Sequence, residues 1–214
     1  MKRKYINMYD LYLVADESFS LGRDILEVIK QAVRGGVTIV QLREKNADTR
    51  TFLEKAHRVH DLLKKYHIPL IINDRVDIAL AVGAEGVHVG QSDMPVEYVK
   101  RIVPRNMIIG LSVENMAQGM EAEHLDVDYL GVSPVFTTPT KQELICEWGI
   151  EGLKQLRAKS RHKLVAIGGI NQSNAASVIK AGADGLAVVS AICSAENPEV
   201  ASKQIRDIIL QYKK

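Results

Sequence analysis

The chain is short of cysteine, of long apolar runs and of any excess of charge, and each shortage excludes something. Its 214 residues hold two cysteines, Cys146 and Cys193, far apart and in no metal-ligand spacing. Neither a disulfide framework nor a cysteine-built zinc site is expected, and the pair reads as two free thiols of a cytoplasmic protein. No apolar run approaches the roughly 18 residues of a membrane span. The basic start, Met1-Lys2-Arg3-Lys4-Tyr5, precedes an apolar stretch, Leu11 to Ala15, too short for a signal-peptide core. No membrane partner is expected. Lys plus Arg number 28 against 26 Asp plus Glu, a net charge of +2. A nucleic-acid binder would show a basic stripe, so none is expected as partner, although a locally basic pocket remains open. Linkers and low-complexity segments are also missing.

What the chain does have is alternation. Eight short, β-branched, nearly continuous apolar runs recur, at Leu11–Asp16, Thr38–Arg43, Pro69–Asp74, Gly86–Gln91, Ile108–Val113, Tyr129–Ser133, Lys163–Gly169 and Gly185–Ser190. Strands buried on both faces, as in parallel sheets, look like this. Helical stripes lie between them: Ile25, Leu26, Ile29 and Val33; Phe52, Ala56, Val59 and Leu63; Ala175, Val178 and Ile179 running to Gly182; and Ile205, Ile208 and Ile209 within 200–212. Asp48-Thr49 and Asn171 to Ser173 supply caps. Gly35-Gly-Val37, Val82-Gly-Ala-Glu-Gly-Val87 and Ala181-Gly-Ala-Asp-Gly-Leu186 are alike, each at a helix-to-strand junction, as a repeated βα unit would make them. The expected fold is α/β, one (β/α)8 TIM barrel over residues 1–214. A doubly wound open sheet is the alternative, but the first strand–helix turn, Asp16 to Gly22, has no Gly-x-Gly-x-x-Gly fingerprint.

A barrel puts its chemistry at the C-terminal ends of its strands. Those ends read Asp16; Gln41, Arg43 and Lys45; Asn73 and Asp74; Gln91 and Asp93; Ser112; Ser133; Gly168 and Gly169; and Ser190. Period-two alternation sets Gln41, Arg43 and Lys45 on one face and Leu42 on the other. Three converging donors, two of them cationic, suit a diphosphate; a solvated strand end with surface ion pairs is the plainer reading. Asp74 and Asp93 follow neighbouring strands, and could hold Mg2+ against phosphate oxygens or simply cap helices. The ends of the seventh and eighth runs, Ile167-Gly-Gly-Ile170 and Val188-Val-Ser-Ala-Ile192, suit a monophosphate held by backbone N–H groups, with glycine allowing close approach. The longest aperiodic stretch, 134–148, reads as a mobile active-site loop whose Thr138-Pro-Thr-Lys141 offers two hydroxyls and an ammonium. His88, mid-strand, reads as a hydrogen-bonded core residue, while His57 and His60 read as surface residues of an outer helix.

Taken in order, Gln41-Leu-Arg-Glu-Lys45, Asn73-Asp-Arg-Val-Asp77, Gly86-Val-His-Val-Gly-Gln91 with Asp93, Thr138-Pro-Thr-Lys141, Ala166-Ile-Gly-Gly-Ile170 and Val188-Val-Ser-Ala-Ile192 resemble the thiamine phosphate synthase family along almost the whole chain. The resemblance implies coupling of 4-amino-2-methyl-5-(diphosphooxymethyl)pyrimidine with 4-methyl-5-(2-phosphooxyethyl)thiazole. The products would be thiamine phosphate and diphosphate, with Mg2+ as cofactor and small-molecule substrates as the partners. It implies that Gln41, Leu42, Arg43, Glu44, Lys45, Asn73, Ser112 and Lys141 line the pyrimidine diphosphate site. Arg43, Lys45, Ser112 and Lys141 would be catalytic, and Asp74 and Asp93 would be metal ligands. Thr138, Pro139, Thr140, Gly169, Val189 and Ser190 would take the thiazole phosphate. The sequence departs from the family at Ser133, where Gly-x-Gly-Pro is usual, at Asn115, and in the stretch from Gln142 to Trp148. A thiazole tautomerase, a catalytically silent phosphate-binding paralogue and a sugar-phosphate isomerase are the alternatives. A homo-oligomer is compatible with the sequence, which shows no unambiguous interface stripe.

Overall fold

The computed structural model describes residues 7–137 and 147–213. Eight parallel strands close into a barrel in sequence order: β1 (Leu11–Asp16), β2 (Ile39–Arg43), β3 (Leu70–Asn73), β4 (Gly86–Val89), β5 (Ile108–Val113), β6 (Tyr129–Val132), β7 (Lys163–Ile167) and β8 (Gly185–Val188). Leu13 of β1 pairs with Val188 of β8 and with Val40 of β2, which closes the ring. The open-sheet alternative is thereby overturned. The helices are α1 (Ile25–Arg34), α2 (Thr49–Lys64), α3 (Val76–Val82), α4 (Val96–Ile102), α5 (Met116–Ala122), α6 (Gly149–Lys159), α7 (Ala175–Lys180), the short α8 (Ser190–Cys193) and α9 (Pro198–Tyr212). Among the described residues, no helix is long and apolar enough to cross a membrane.

Strand alternation divides the apolar residues into two cores. Leu11, Leu13, Val40, Leu42, Leu70, Ile72, Val87, Val89, Leu130 and Leu186 face the helices. Tyr12, Val14, Ile39, Ile71, Tyr129, Val165 and Ala187 fill the barrel interior. The side-chain period of two produces this split, and its phase decides which residue of each strand end looks into the mouth.

The helices follow their stripes with one shift of face. All four predicted positions on α2 are buried, as are Ala175, Val178 and Ile179 on α7. On α1 the buried face is Ile25, Val28, Ile29 and Ala32, so Val33 lies at its edge. His60 is not a surface residue: it shares the buried face of α2 with Ala56 and Leu63, and its Nε2 lies 3.4 Å from the Glu85 carboxylate. A polar partner at the foot of the barrel allows a histidine on that face. Asp48 caps α2 through the Thr51 N–H (2.9 Å). Cys193 is buried beneath β1, and burial pushes its thiol up to about 11; Cys146 lies outside the described residues.

Candidate active site

A cavity of about 680 Å3 opens at the C-terminal mouth of the barrel. Its walls include Gln41, Arg43, Lys45, Asn73, Asp74, Asp93 and Ser112 on one side, and Gly168, Gly169, Val189 and Ser190 on the other. Ten of the sequence-derived site residues therefore meet in one space, with Gly168 beside them. Thr138, Pro139, Thr140 and Lys141 lie outside the described residues. Two others are turned away. The Leu42 side chain is buried in the helix-facing core, because it alternates with Gln41 and Arg43. Glu44 is paired with Lys55 of α2 and is no part of the cavity wall.

The three donors that end β2 diverge. Gln41 points down the barrel and donates from Nε2 to the Tyr12 hydroxyl (2.8 Å). Arg43 reaches sideways to Asp16 at the end of β1, and Lys45 reaches to Asp74 beyond β3. Both cations thus meet carboxylates on the neighbouring strand ends, and the wall is a charge mosaic rather than a purely cationic cradle. Asp16 had no assigned role from sequence; its own Oδ1 also receives the Ser18 N–H at 3.0 Å.

Asp74 sits just past β3 with φ +62°, in the left-handed region that Asp and Asn tolerate best among non-glycine residues. Its N–H donates to the His88 carbonyl (2.8 Å), which ties it to β4. Asp93 accepts the Gly90 N–H at 2.7 Å and comes within hydrogen-bonding reach of the Asp74 carboxyl. Burial pushes the Asp74 carboxyl above its usual range; Asp93 adds to the rise and Lys45 opposes it. Neither aspartate caps a helix: the residues before α3 and α4 are Arg75 and Pro95, without side-chain cap bonds. Two half-buried carboxyls side by side, with one half-exposed lysine, form a hard oxygen pair. Among the described residues no group of three or more His, Cys, Asp or Glu could cage a metal by itself. A two-carboxylate set instead fits Mg2+, which keeps waters and phosphate oxygens in its shell.

Opposite, the backbone folds tightly. Gly168 and Gly169 have φ of 104° and 63°. A Cβ on Gly168 would lie 2.6 Å from Pro134, and one on Gly169 would lie 2.8 Å from Phe136. The segment after β6 is laced to this turn by Val135 N–H to Ile167 O (2.8 Å) and Phe136 N–H to Gly168 O (3.1 Å). Asn174 holds the Gly169 carbonyl at 2.9 Å. Glycine is required here by both torsion and space.

The departures have local explanations. Asn115 caps α5 through the Gln118 N–H (3.0 Å). Trp148 is core, its indole N–H donating to the Val113 carbonyl (3.2 Å). Ser133 does line the cavity. The sequence reading missed the cavity floor, where Tyr12, Tyr129 and His88 also contribute to the wall. Their even spacing with Val14, Gly131 and Gly90 on the inner strand faces was the available signal.

The family model for thiamine monophosphate synthase matches residues 11–192. Curated thiamine-phosphate synthases are similar throughout: the protein from Albidiferax ferrireducens is 54% identical over 93% of this chain and 91% of its own. That from Vibrio campbellii is 50% identical over 94% and 98%. The solved structure of thiamine phosphate pyrophosphorylase from Pyrococcus furiosus superposes with a TM-score of 0.88, at 39% identity, covering 96% of this chain and 98% of that one. A 3-hexulose-6-phosphate synthase from Salmonella typhimurium shares the fold alone, with a TM-score of 0.73 and 19% identity over 95% and 99%. With its eightfold barrel and its mouth-facing site, this chain belongs to the thiamine monophosphate synthase family, and is a transferase of thiamine biosynthesis.

Proposed function

We propose that the chain joins 4-amino-2-methyl-5-(diphosphooxymethyl)pyrimidine to 4-methyl-5-(2-phosphooxyethyl)thiazole. The bond from the pyrimidine methylene carbon to the diphosphate oxygen breaks first, its electron pair leaving with the diphosphate, and the thiazole nitrogen then forms its bond to that carbon. Thiamine phosphate and diphosphate are the products. The observation that supports this most is that two unlike sets of groups face each other across one 680 Å3 cavity. Charged side chains gather after β2–β4, and opposite them lie the Gly168–Gly169 turn after β7 and Val189–Ser190 after β8. The isomerase alternative would need no metal pair, and the relatives named above are synthases.

The roles follow from placement. Arg43 and Lys45 would take the diphosphate, exchanging their carboxylate partners for phosphate oxygens and stabilising the negative charge that grows on the leaving group. Lys141, the remaining catalytic cation implied by the family pattern, belongs with them in this proposal. Asn73 and Ser112 would hydrogen-bond the same substrate. Gln41, whose amide nitrogen is engaged by Tyr12, would use its oxygen. Asp74 and Asp93 would hold Mg2+, which supplies charge neutralisation for the departing diphosphate. Gly169, Val189 and Ser190, together with Thr138 and Thr140 from the stretch after β6, would hold the thiazole phosphate through backbone N–H groups and hydroxyls. Departure of diphosphate ahead of capture leaves a pyrimidine methylene cation, which the closed barrel floor shields from water. No general base is needed, since the thiazole nitrogen attacks with its own lone pair.

The purified protein with Mg2+ and both substrates should release diphosphate and form thiamine phosphate. No product at high enzyme concentration sinks the reading. Within it, Asp93→Ala should lower Mg2+-dependent turnover by roughly a hundredfold or more. Binding of the thiazole phosphate, measured by calorimetry without the pyrimidine, should be nearly unchanged. Equal losses would make Asp93 a loop brace for Gly90 instead.

A further inference from the structure

Beneath the charged rim, five side chains from five strands form an unbroken hydrogen-bonded chain through the barrel interior. Gln41 Nε2 lies 2.8 Å from the Tyr12 hydroxyl, and Tyr12 lies 2.7 Å from the Tyr129 hydroxyl. Tyr129 lies 2.9 Å from His88 Nδ1, and His88 Nε2 lies 2.8 Å from Ser112 Oγ. Counting hydrogens gives this chain a direction. The Gln41 amide nitrogen can only donate, so the Tyr12 oxygen accepts from it. Among the described residues Tyr12 has only Tyr129 left as an acceptor for its own hydrogen. One hydrogen fits between two phenol oxygens, so the Tyr129 hydrogen goes to His88 Nδ1. A neutral imidazole with Nδ1 accepting carries its hydrogen on Nε2, and donates it to Ser112. Ser112 Oγ, already accepting, then has its hydroxyl hydrogen free for the cavity it lines. The reverse order would leave the Tyr12 hydrogen without an acceptor in a fully buried place, which buried polar groups avoid. Burial also pushes both phenols well above their usual range, so each keeps its proton.

The barrel is shaped around this chain. A Cβ on Gly110 would come within 2.2 Å of the Tyr129 ring and 2.5 Å of His88 Nδ1. One on Gly131 would lie 3.0 Å from His88 Cε1. Two inner-facing glycines on β5 and β6 therefore open the slot in which the His88 and Tyr129 rings stack, with centroids 5.4 Å apart.

We infer that His88 is a positioning residue: the Gln41–Tyr12–Tyr129 relay holds it as the Nε2–H tautomer, so that Ser112 presents a hydroxyl hydrogen to an acceptor on the pyrimidine diphosphate. This deepens the reading above and rests on it for the identity of the ligand. The tautomer is tested without any substrate. In ligand-free protein labelled with 15N-histidine, long-range 1H–15N spectra at about pH 8, above the usual histidine range, should show the His88 pair with Nε2 protonated and Nδ1 bare. The resonances are assigned by their loss in His88→Gln. An Nδ1–H tautomer, or a doubly protonated ring, overturns the inference even if the coupling reaction is confirmed. A correct tautomer in a protein that makes no product leaves the relay standing and sinks only the substrate. Where coupling is observed, His88→Leu should lower kcat/KM for the pyrimidine diphosphate about tenfold, the size of one lost hydrogen bond to a charged group. KM for the thiazole phosphate should stay within about twofold, and His88→Gln, which restores an N–H at the Nε2 position, should recover most of the loss. Equal damage to both substrates, or no recovery by glutamine, would show a merely structural histidine.

Discussion

Both ends of the barrel carry acidic residues, but Asp184 and Asp10 at one end and Asp74 and Asp93 at the other are partnered differently. At the N-terminal end, the residue that precedes an even-numbered strand holds the first or second N–H of the strand before it. Thr38 Oγ1 takes Leu11 N (3.0 Å), Glu85 takes Leu70 N (2.8 Å), Asp128 takes Ile109 N (3.0 Å) and Asp184 takes Leu164 N (2.9 Å). Cations complete the arrangement: Asp184 also meets Arg157 and Lys163, and the fully buried Asp10 meets Arg206 and Lys213. At the mouth, Asp74 and Asp93 instead face each other beside a cavity, with one lysine between Asp74 and solvent. A carboxylate surrounded by N–H donors and cations is finished; one set against another carboxylate is waiting for a cation. Position on the barrel alone does not tell these apart, but the identity of the partners does.

This contrast breaks if mouth substitutions unfold the protein or foot substitutions merely slow it. The largest effect belongs to the mouth. Lys45→Ala removes a half-exposed side chain whose partner is Asp74, so melting temperature should move little. Turnover should fall by roughly a hundredfold, the scale of losing one electrostatic stabiliser of a developing anion. Parallel measurement of kcat and Tm decides it, and a large Tm drop with turnover intact would reverse the assignment. Next in size is the foot. Asp184→Ala leaves the Leu164 N–H and Arg157 without their shared acceptor, which should cost about 2–3 kcal/mol. In a chain of this size that corresponds to a Tm lower by about 5–10 °C. The kcat of the remaining folded enzyme should be unchanged; a fall in kcat at constant Tm would place Asp184 in the chemistry.

Much of the barrel was legible because its determinants are local. Eight apolar runs of strand length survive without knowledge of their neighbours, and Ile108–Val113 was read to the residue. The Phe52, Ala56, Val59 and Leu63 stripe likewise depends only on helical period. His60 departs from its sequence expectation because polarity stands in for position: it lies on the buried face of α2, and its partner there, Glu85, is on a different element. The site divides in the same way. Strand phase brought Gln41, Arg43 and Lys45 to the mouth, yet it could not show that Arg43 would meet Asp16 and Lys45 would meet Asp74. Those pairings depend on strand order, which sets β1 and β3 on either side of β2. Tyr12 and Tyr129 stand 117 residues apart, and only the closed barrel makes them neighbours, so the relay had no signature in the linear sequence beyond two aromatics on inner faces.

Asp48 sharpens the comparison at its smallest scale, because it lies at the mouth end of α2 but has the partners of a foot residue. Both its carboxylate oxygens are engaged, by the Thr51 N–H at 2.9 Å and the Thr51 hydroxyl at 3.0 Å. Those bonds hold its carboxyl below the usual value of 3.8. The folded pKa is depressed, so its contribution to stability is fully present above the unfolded value and disappears as pH falls through the folded one. Asp48→Ala should therefore lower Tm slightly at neutral pH, by less than Asp184→Ala does, and the gap from wild type should close as pH drops below about 4. Turnover should not change, although the residue is only three positions from Lys45. If Asp48→Ala slowed turnover as Lys45→Ala does, nearness to the mouth would govern function after all. If it costs a little stability and no activity, what separates structural from catalytic acids in this barrel is whether both carboxylate oxygens are already claimed by donors of the protein.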